Sequence, residues 1–144
     1  MRFMIIVKAT EDSEAGVMPT EEAIAEMADY HEELAKAGVL LDGSGLQPSA
    51  KGWRVKYDGD KRTVVDGPFT EAKELIAGYT LIQVKSREEA MEWARRFPNP
   101  SIDGGEAEIE VRQLFELDDF EQGPAVERFR ELDLPGQGEE ARKP

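Results

Sequence analysis

Few side chains in this chain could carry chemistry. Of 144 residues one is a histidine, His31, and none is a cysteine. The missing thiols exclude disulfides, thiolate nucleophiles, iron–sulfur clusters and cysteine zinc sites together. A metal would therefore have to be held by carboxylates and one imidazole. The acidic pairs Glu21–Glu22, Glu32–Glu33 and Asp118–Asp119 sit where solvated helix faces and tails ordinarily place acids, so no metal site is expected. Gly43-x-Gly45 follows an apolar run, as the start of a dinucleotide fingerprint would. Its third glycine is missing and Pro48 stands where a helix should open. Ser44 has no Gly-x-Ser-x-Gly elbow around it, which leaves a serine nucleophile without its usual setting.

Two residues remain. His31 falls on the apolar stripe Ile24, Met27 or Ala28, His31, Leu34 or Ala35 of a strong helical pattern, so its ring is expected to face inward. An inward histidine is either satisfied by its neighbours or held as a base, and periodicity leaves both readings open. Asp66 ends the run "KRTVVD", which puts Arg62, Val64 and Asp66 on one side, and Gly67-Pro68 then stop the strand. An Asx-type turn alone could account for the carboxylate.

The bulk of the chain narrows the partners. With 31 acidic and 18 basic residues the formal net charge is −13. Nucleic acid and anionic membrane surfaces both select clustered cations, so neither is expected here. The apolar run "FMIIV" is too short to span a bilayer, and no small-residue cleavage site follows it. A cytoplasmic protein with one main domain, about residues 1–120, is the expectation, followed by an acidic tail over 121–144.

The elements that must position these residues follow from pattern. "RFMIIVKA" reads as a strand apolar on both faces. "PTEEAIAEMADYHEELAKAG" reads as a helix, with Thr20 at its start, Lys36 in its last turn and Gly38 just past its end. "WRVKY" and "KRTVVD" flank Asp58-Gly59-Asp60 and predict a hairpin. "LIAGYTLIQVK" predicts another strand. "SREEAMEWARRFP" predicts a helix opened by a Ser86/Glu89 capping box and ended before Pro98. "AEIEVRQLF" alternates cleanly, with Ile109 and Val111 on one face. This order is βαββαβ with an inserted hairpin: an α+β, ferredoxin-like layer whose antiparallel sheet carries helices on one face. The other face needs a cover. In the tail, "AVERFREL" predicts a short helix before a Gly/Pro/charged, partly ordered end, whose alternative role is a docking arm for a partner protein.

"DGPFTEAKELIAGYTLIQVKSREEAMEWARRFP", with "YHEELAKAGVLLDGSGLQP" before it and "EIEVRQLF" after, resembles the DGPF-motif branch of the YCII-related family. The resemblance runs from Arg2 to about Phe120 and is most specific at Asp66-Gly67-Pro68-Phe69 with Glu71, Lys73 and Gly78. It implies a dimeric α+β barrel, two layers joined through their open sheet faces, which would make the cover a second copy. It also implies an active-site pair, carried here onto His31 and Asp66, and cofactor-free chemistry on small organic molecules of lyase, isomerase or hydrolase type. Relatives of this branch are often encoded beside alternative sigma factors, so a metabolite-binding or regulatory module is the competing implication.

The pair has a physical logic. A carboxylate accepting the Nδ1 proton of an imidazole fixes the tautomer and frees Nε2 as a base, a device worth about 10² to 10⁴ in rate. Arg54, Lys73 and Tyr79 are the expected donors toward a substrate.

Overall fold

The computed structural model describes residues 1–132 and Leu134. Strand β1 (Arg2–Lys8) leads through a short helix α1 (Glu11–Glu14) to the long helix α2 (Glu21–Lys36). Strand β2 (Leu40–Gly45) follows, then the hairpin β3 (Trp53–Asp58) and β4 (Lys61–Asp66). Strand β5 (Ile76–Gln83), helix α3 (Arg87–Arg95), strand β6 (Ile109–Gln113) and helix α4 (Pro124–Glu131) complete the order. The main sheet runs β2-β5-β1-β6, with every neighbouring pair antiparallel, and β3–β4 form a separate two-stranded sheet. This is the ferredoxin-like α+β layer that the pattern predicts.

Local chemistry explains the boundaries. Thr20 caps α2 by accepting from the Ala23 amide at 3.1 Å, Lys36 sits in the last turn, and Gly38 takes the left-handed φ of 75° beyond it. Ser86 accepts from the Glu89 amide at the start of α3, as expected of a capping box. The Glu89 carboxylate, however, takes the Lys85 amide, one residue earlier than the reciprocal bond requires. Thr10 and Ser13 form a complete capping box on α1. Gly59, at φ 59°, allows the tight turn between β3 and β4.

The core lies between one sheet face and the two long helices. Phe3 and Ile5 on β1, Ile82 on β5 and Val84 just beyond it pack against Tyr30 and Leu34 of α2 and Ala90 of α3. Ile5, Leu34 and Ile82 are fully buried, each stabilising the fold by about 1.5–3 kcal/mol. The helix stripe is rotated from the expected one. Ile24 is 48% exposed, whereas Tyr30 is buried, with its ring edge-on to both Trp93 and Phe97 and its hydroxyl donating to the Trp93 carbonyl at 2.7 Å. An aromatic shared by two helices wins the inward place over a lone isoleucine.

The opposite sheet face is uncovered among the described residues. Register places Met4 across from Leu81 and Ile6 across from Tyr79, an apolar centre with Asp42 and Ser44 on one margin and Glu110 and Arg112 on the other. Helix α4 begins at Pro124, one residue before the stretch expected to be helical, and Phe129 within it and Leu132 just after it are exposed. The expectation of a partly ordered end falls mostly on residues outside those described.

Candidate functional site

His31 faces inward from α2, as its place on the stripe predicts. Its Nδ1 lies 2.7 Å from the Met27 carbonyl oxygen, which can only accept, so Nδ1–H donates there. In the neutral ring Nε2 is then the acceptor, 2.9 Å from the buried hydroxyl of Thr80. The ring rests on the β2 backbone. A Cβ added at Gly43 would stand 3.2 Å from Nε2, so a side chain at that position would crowd the imidazole. The carboxylate contact expected at Nδ1 is thus taken by a backbone carbonyl. Asp66 does not orient this ring.

Asp66 stands at the end of β4, directly opposite Trp53, and is exposed. Its side chain makes no hydrogen bond or ion pair with the described residues. With Arg62 and Val64 it shares the hairpin face of Trp53, Val55 and Tyr57, most of which is open to solvent. The structure therefore brings Asp66 to an exposed hairpin face and His31 to the helix–sheet interface.

The turn after Asp66 does something else. The Gly67–Pro68 peptide is cis, and the Gly67 amide donates to the Gly52 carbonyl at 2.9 Å, closing the root of the hairpin. No other residue fits at Gly67, because an added Cβ would lie 1.9 Å from the Ser49 carbonyl oxygen. Ser49 ties three segments together. Its amide and its hydroxyl both donate to the Glu14 carboxylate, and its Oγ accepts from the Phe69 amide at 3.0 Å. The Phe69 ring is thereby fixed beneath Arg54, whose guanidinium carbon sits 3.7 Å from the ring centroid.

A cleft of about 290 Å³ opens there, bounded by Leu46, Gln47, Trp53, Arg54, Phe69 and Ile76. Arg54 is the one expected substrate-binding residue that lines it. Lys73 is exposed in the short 3₁₀ turn Ala72–Glu74 and stands outside the cleft. Tyr79 points to the open sheet face, where its hydroxyl donates to Asp42 Oδ2 at 2.9 Å, and that bond pushes its phenol above the usual tyrosine range. A second groove, of about 350 Å³, lies between α3 and strands β1 and β6 and contains none of the expected site residues. Sequence reasoning missed Trp53, Gln47, Thr80 and Met27. A tryptophan beside an arginine at the start of the predicted hairpin was the one available signal.

The family profile of the YCII-related domain matches residues 1–116. An uncharacterised protein of Rhizobium meliloti is 27% identical over 95 residues, spanning 66% of this chain and 77% of that protein. Among solved structures, 5-chloro-2-hydroxyhydroquinone dehydrochlorinase (TftG) from Burkholderia phenoliruptrix, in complex with 2,5-dihydroxybenzoquinone, is similar at a TM-score of 0.44 and 15% identity. That match covers 81% of this chain and 95% of the other. No described helix is long and apolar enough to cross a membrane.

Proposed function

The chain belongs to the YCII-related family, and from that premise we propose that it is a homodimeric small-molecule-binding protein whose ligand occupies the cleft framed by the Gly67–Phe69 turn. One observation carries this reading: the Arg54 guanidinium is stacked on Phe69 at the cleft, exposed, and has no acidic partner among the described residues of a strongly acidic chain. A cation held in place yet left unpaired is poised for something brought from outside. The homodimer is supported by the apolar centre of the open sheet face, Met4, Ile6, Tyr79 and Leu81, which a second copy would cover.

The test is a thermal-shift screen of small carboxylated and carbonyl compounds, in parallel with sedimentation velocity. A ligand present at a hundred times its dissociation constant stabilises the fold by about 2.7 kcal/mol, a readily measured rise in Tm. A Leu81→Lys variant, placing a charge in the centre of the open face, is expected to sediment as a monomer. A wild type that is monomeric at micromolar concentration, or a screen with no stabilising compound, would remove the corresponding half of the reading.

An enzymatic reading is favoured by a different observation. Met27 holds the proton on Nδ1 and so keeps Nε2 as the acceptor, the tautomer a general base needs. In that reading His31 takes a proton from a small organic substrate in lyase, isomerase or hydrolase chemistry. A His31→Ala variant separates the readings, because an enzyme loses turnover with its fold intact whereas a satisfied interior histidine costs stability. In a regulatory form of the binding reading, α4 engages a protein partner such as a transcription factor. Deleting residues 121–144 should then abolish that interaction and spare the dimer.

A further inference from the structure

The cleft's walls define what it would hold. Leu46, Trp53 and Ile76 are large apolar side chains, 46%, 66% and 40% exposed, and all three line the same small space. Apolar groups that converge on one concavity favour an apolar body there. At the edge of that body stands Arg54. Its face is covered by Phe69, so its N–H groups are directed outward in the guanidinium plane, the geometry that pairs two parallel donors with a carboxylate. Gln47 adds an amide with no side-chain partner among the described residues.

The nearby acid does not compete for that fork. Glu14 also lines the cleft, but both of its carboxylate oxygens receive hydrogen bonds from Ser49. Its charge still repels a second anion. A ligand with one carboxylate suits the cleft, and a dicarboxylate or a dianionic phosphate does not. The volume, about 290 Å³, is at the bottom of the range for small-molecule sites and suits a molecule of roughly a single ring or a short chain.

We propose that this cleft is a selective site for small apolar monocarboxylates, with Arg54 as the carboxylate anchor and the Asp66-Gly67-Pro68-Phe69 turn as the frame that presents it. The Ser49 backbone forbids a side chain at Gly67, Ser49 Oγ fixes the Phe69 amide, and Phe69 carries Arg54. The turn therefore acts through Arg54 rather than through His31. This inference rests on the small-molecule reading above and adds the ligand class and its anchor.

The experiment uses the full chain labelled at its indole nitrogens. Trp53 and Trp93 give two signals, assigned with a Trp53→Phe variant. Benzoate, phenylacetate and hexanoate are titrated beside the corresponding neutral amides. The expected result is a saturable shift of the Trp53 signal by the acids, with the amides at least about tenfold weaker, as loss of one charge-assisted pair dictates. Arg54→Met should bring the acid-to-amide ratio to about one with an unchanged melting curve, since Arg54 is exposed. Arg54→Lys, which keeps the charge without the fork, should fall between. If acids and amides bind alike, the ligand class is wrong while the cleft stands as a site. An acid preference that survives in Arg54→Met overturns the anchor. If no compound moves the Trp53 signal, this inference and the small-molecule reading of the cleft both fall.

Discussion

Two polar centres lie at opposite extremes of the same chain. At the helix–sheet interface, His31 uses both ring nitrogens, on Met27 and Thr80, within a network closed to most solvent. At the root of the hairpin, Arg54 is fixed just as firmly by Phe69 but keeps its donors free. The difference teaches where to look for function in such a chain. A polar group whose hydrogen bonds are complete contributes to the fold, while one that is immobilised and incomplete stores binding capacity. By side-chain type alone His31 is the more reactive of the two, yet its geometry assigns it the quieter role.

The sharpest way to break this comparison is at Gly67. Replacing it with alanine drives a methyl group into the Ser49 backbone, and we expect a loss of about 3 kcal/mol, the upper part of the overpacking range, measured by urea denaturation. The same variant should release Phe69 and with it Arg54. His31→Ala comes next, at about 1–3 kcal/mol, because the buried Thr80 hydroxyl loses its partner. Arg54→Met on the same scale should stay within about 0.5 kcal/mol of wild type. Equal losses for these two variants would erase the distinction between the centres.

A smaller effect sharpens the interior side. Burial pushes the Tyr30 phenol up from its ordinary 10.0 to about 12, with the nearby Arg96 charge pulling it down and Glu33 raising it. Below pH 10 the phenol is protonated in both folded and unfolded chains, so this contribution is fully present. Between pH 10 and 12 the unfolded chain ionises first, and stability falls through that window. A Tyr30→Phe variant should lack this alkaline slope and lose about 1 kcal/mol at neutral pH from the missing bond to Trp93. Smallest of all is truncation after Phe120. Helix α4 has no buried residue, so the melting curve should barely move.

Much of the fold was legible because two periodicities differ so plainly. "AEIEVRQLF" alternates, "PTEEAIAEMADYHEELAKAG" repeats at helical spacing, and Asp58-Gly59-Asp60 can hardly be anything but a turn. Tyr30 was harder to place, since its inward position depends on Trp93 and Phe97, some 60 residues on. Helix α1 is only four residues long, too short to show a period, although Thr10 and Ser13 carried its cap. The site was half legible. His31 was found, but the partner of its Nδ1 is a helix carbonyl one turn back, which every helix supplies and no motif marks. Arg54 was named among possible ligand contacts, whereas its stacking on Phe69 depends on how the hairpin is anchored through Ser49. Asp66 drew attention as the first letter of its motif, and the residues after it proved to do the shaping.

The hairpin has one more consequence, electrostatic and long in range. Residues 51–62 hold five cations, Lys51, Arg54, Lys56, Lys61 and Arg62, against only Asp58 and Asp60, in a chain whose net charge is −13. An approaching anion is therefore repelled by most of the surface and drawn to one spot. At an ionic strength of 0.15 M, with a Debye length of about 8 Å, the distant repulsion is largely screened while attraction at contact persists. Added salt should thus raise the encounter rate for anions before it weakens the bound state, giving an association rate that passes through a maximum where a uniformly charged surface would show a steady trend.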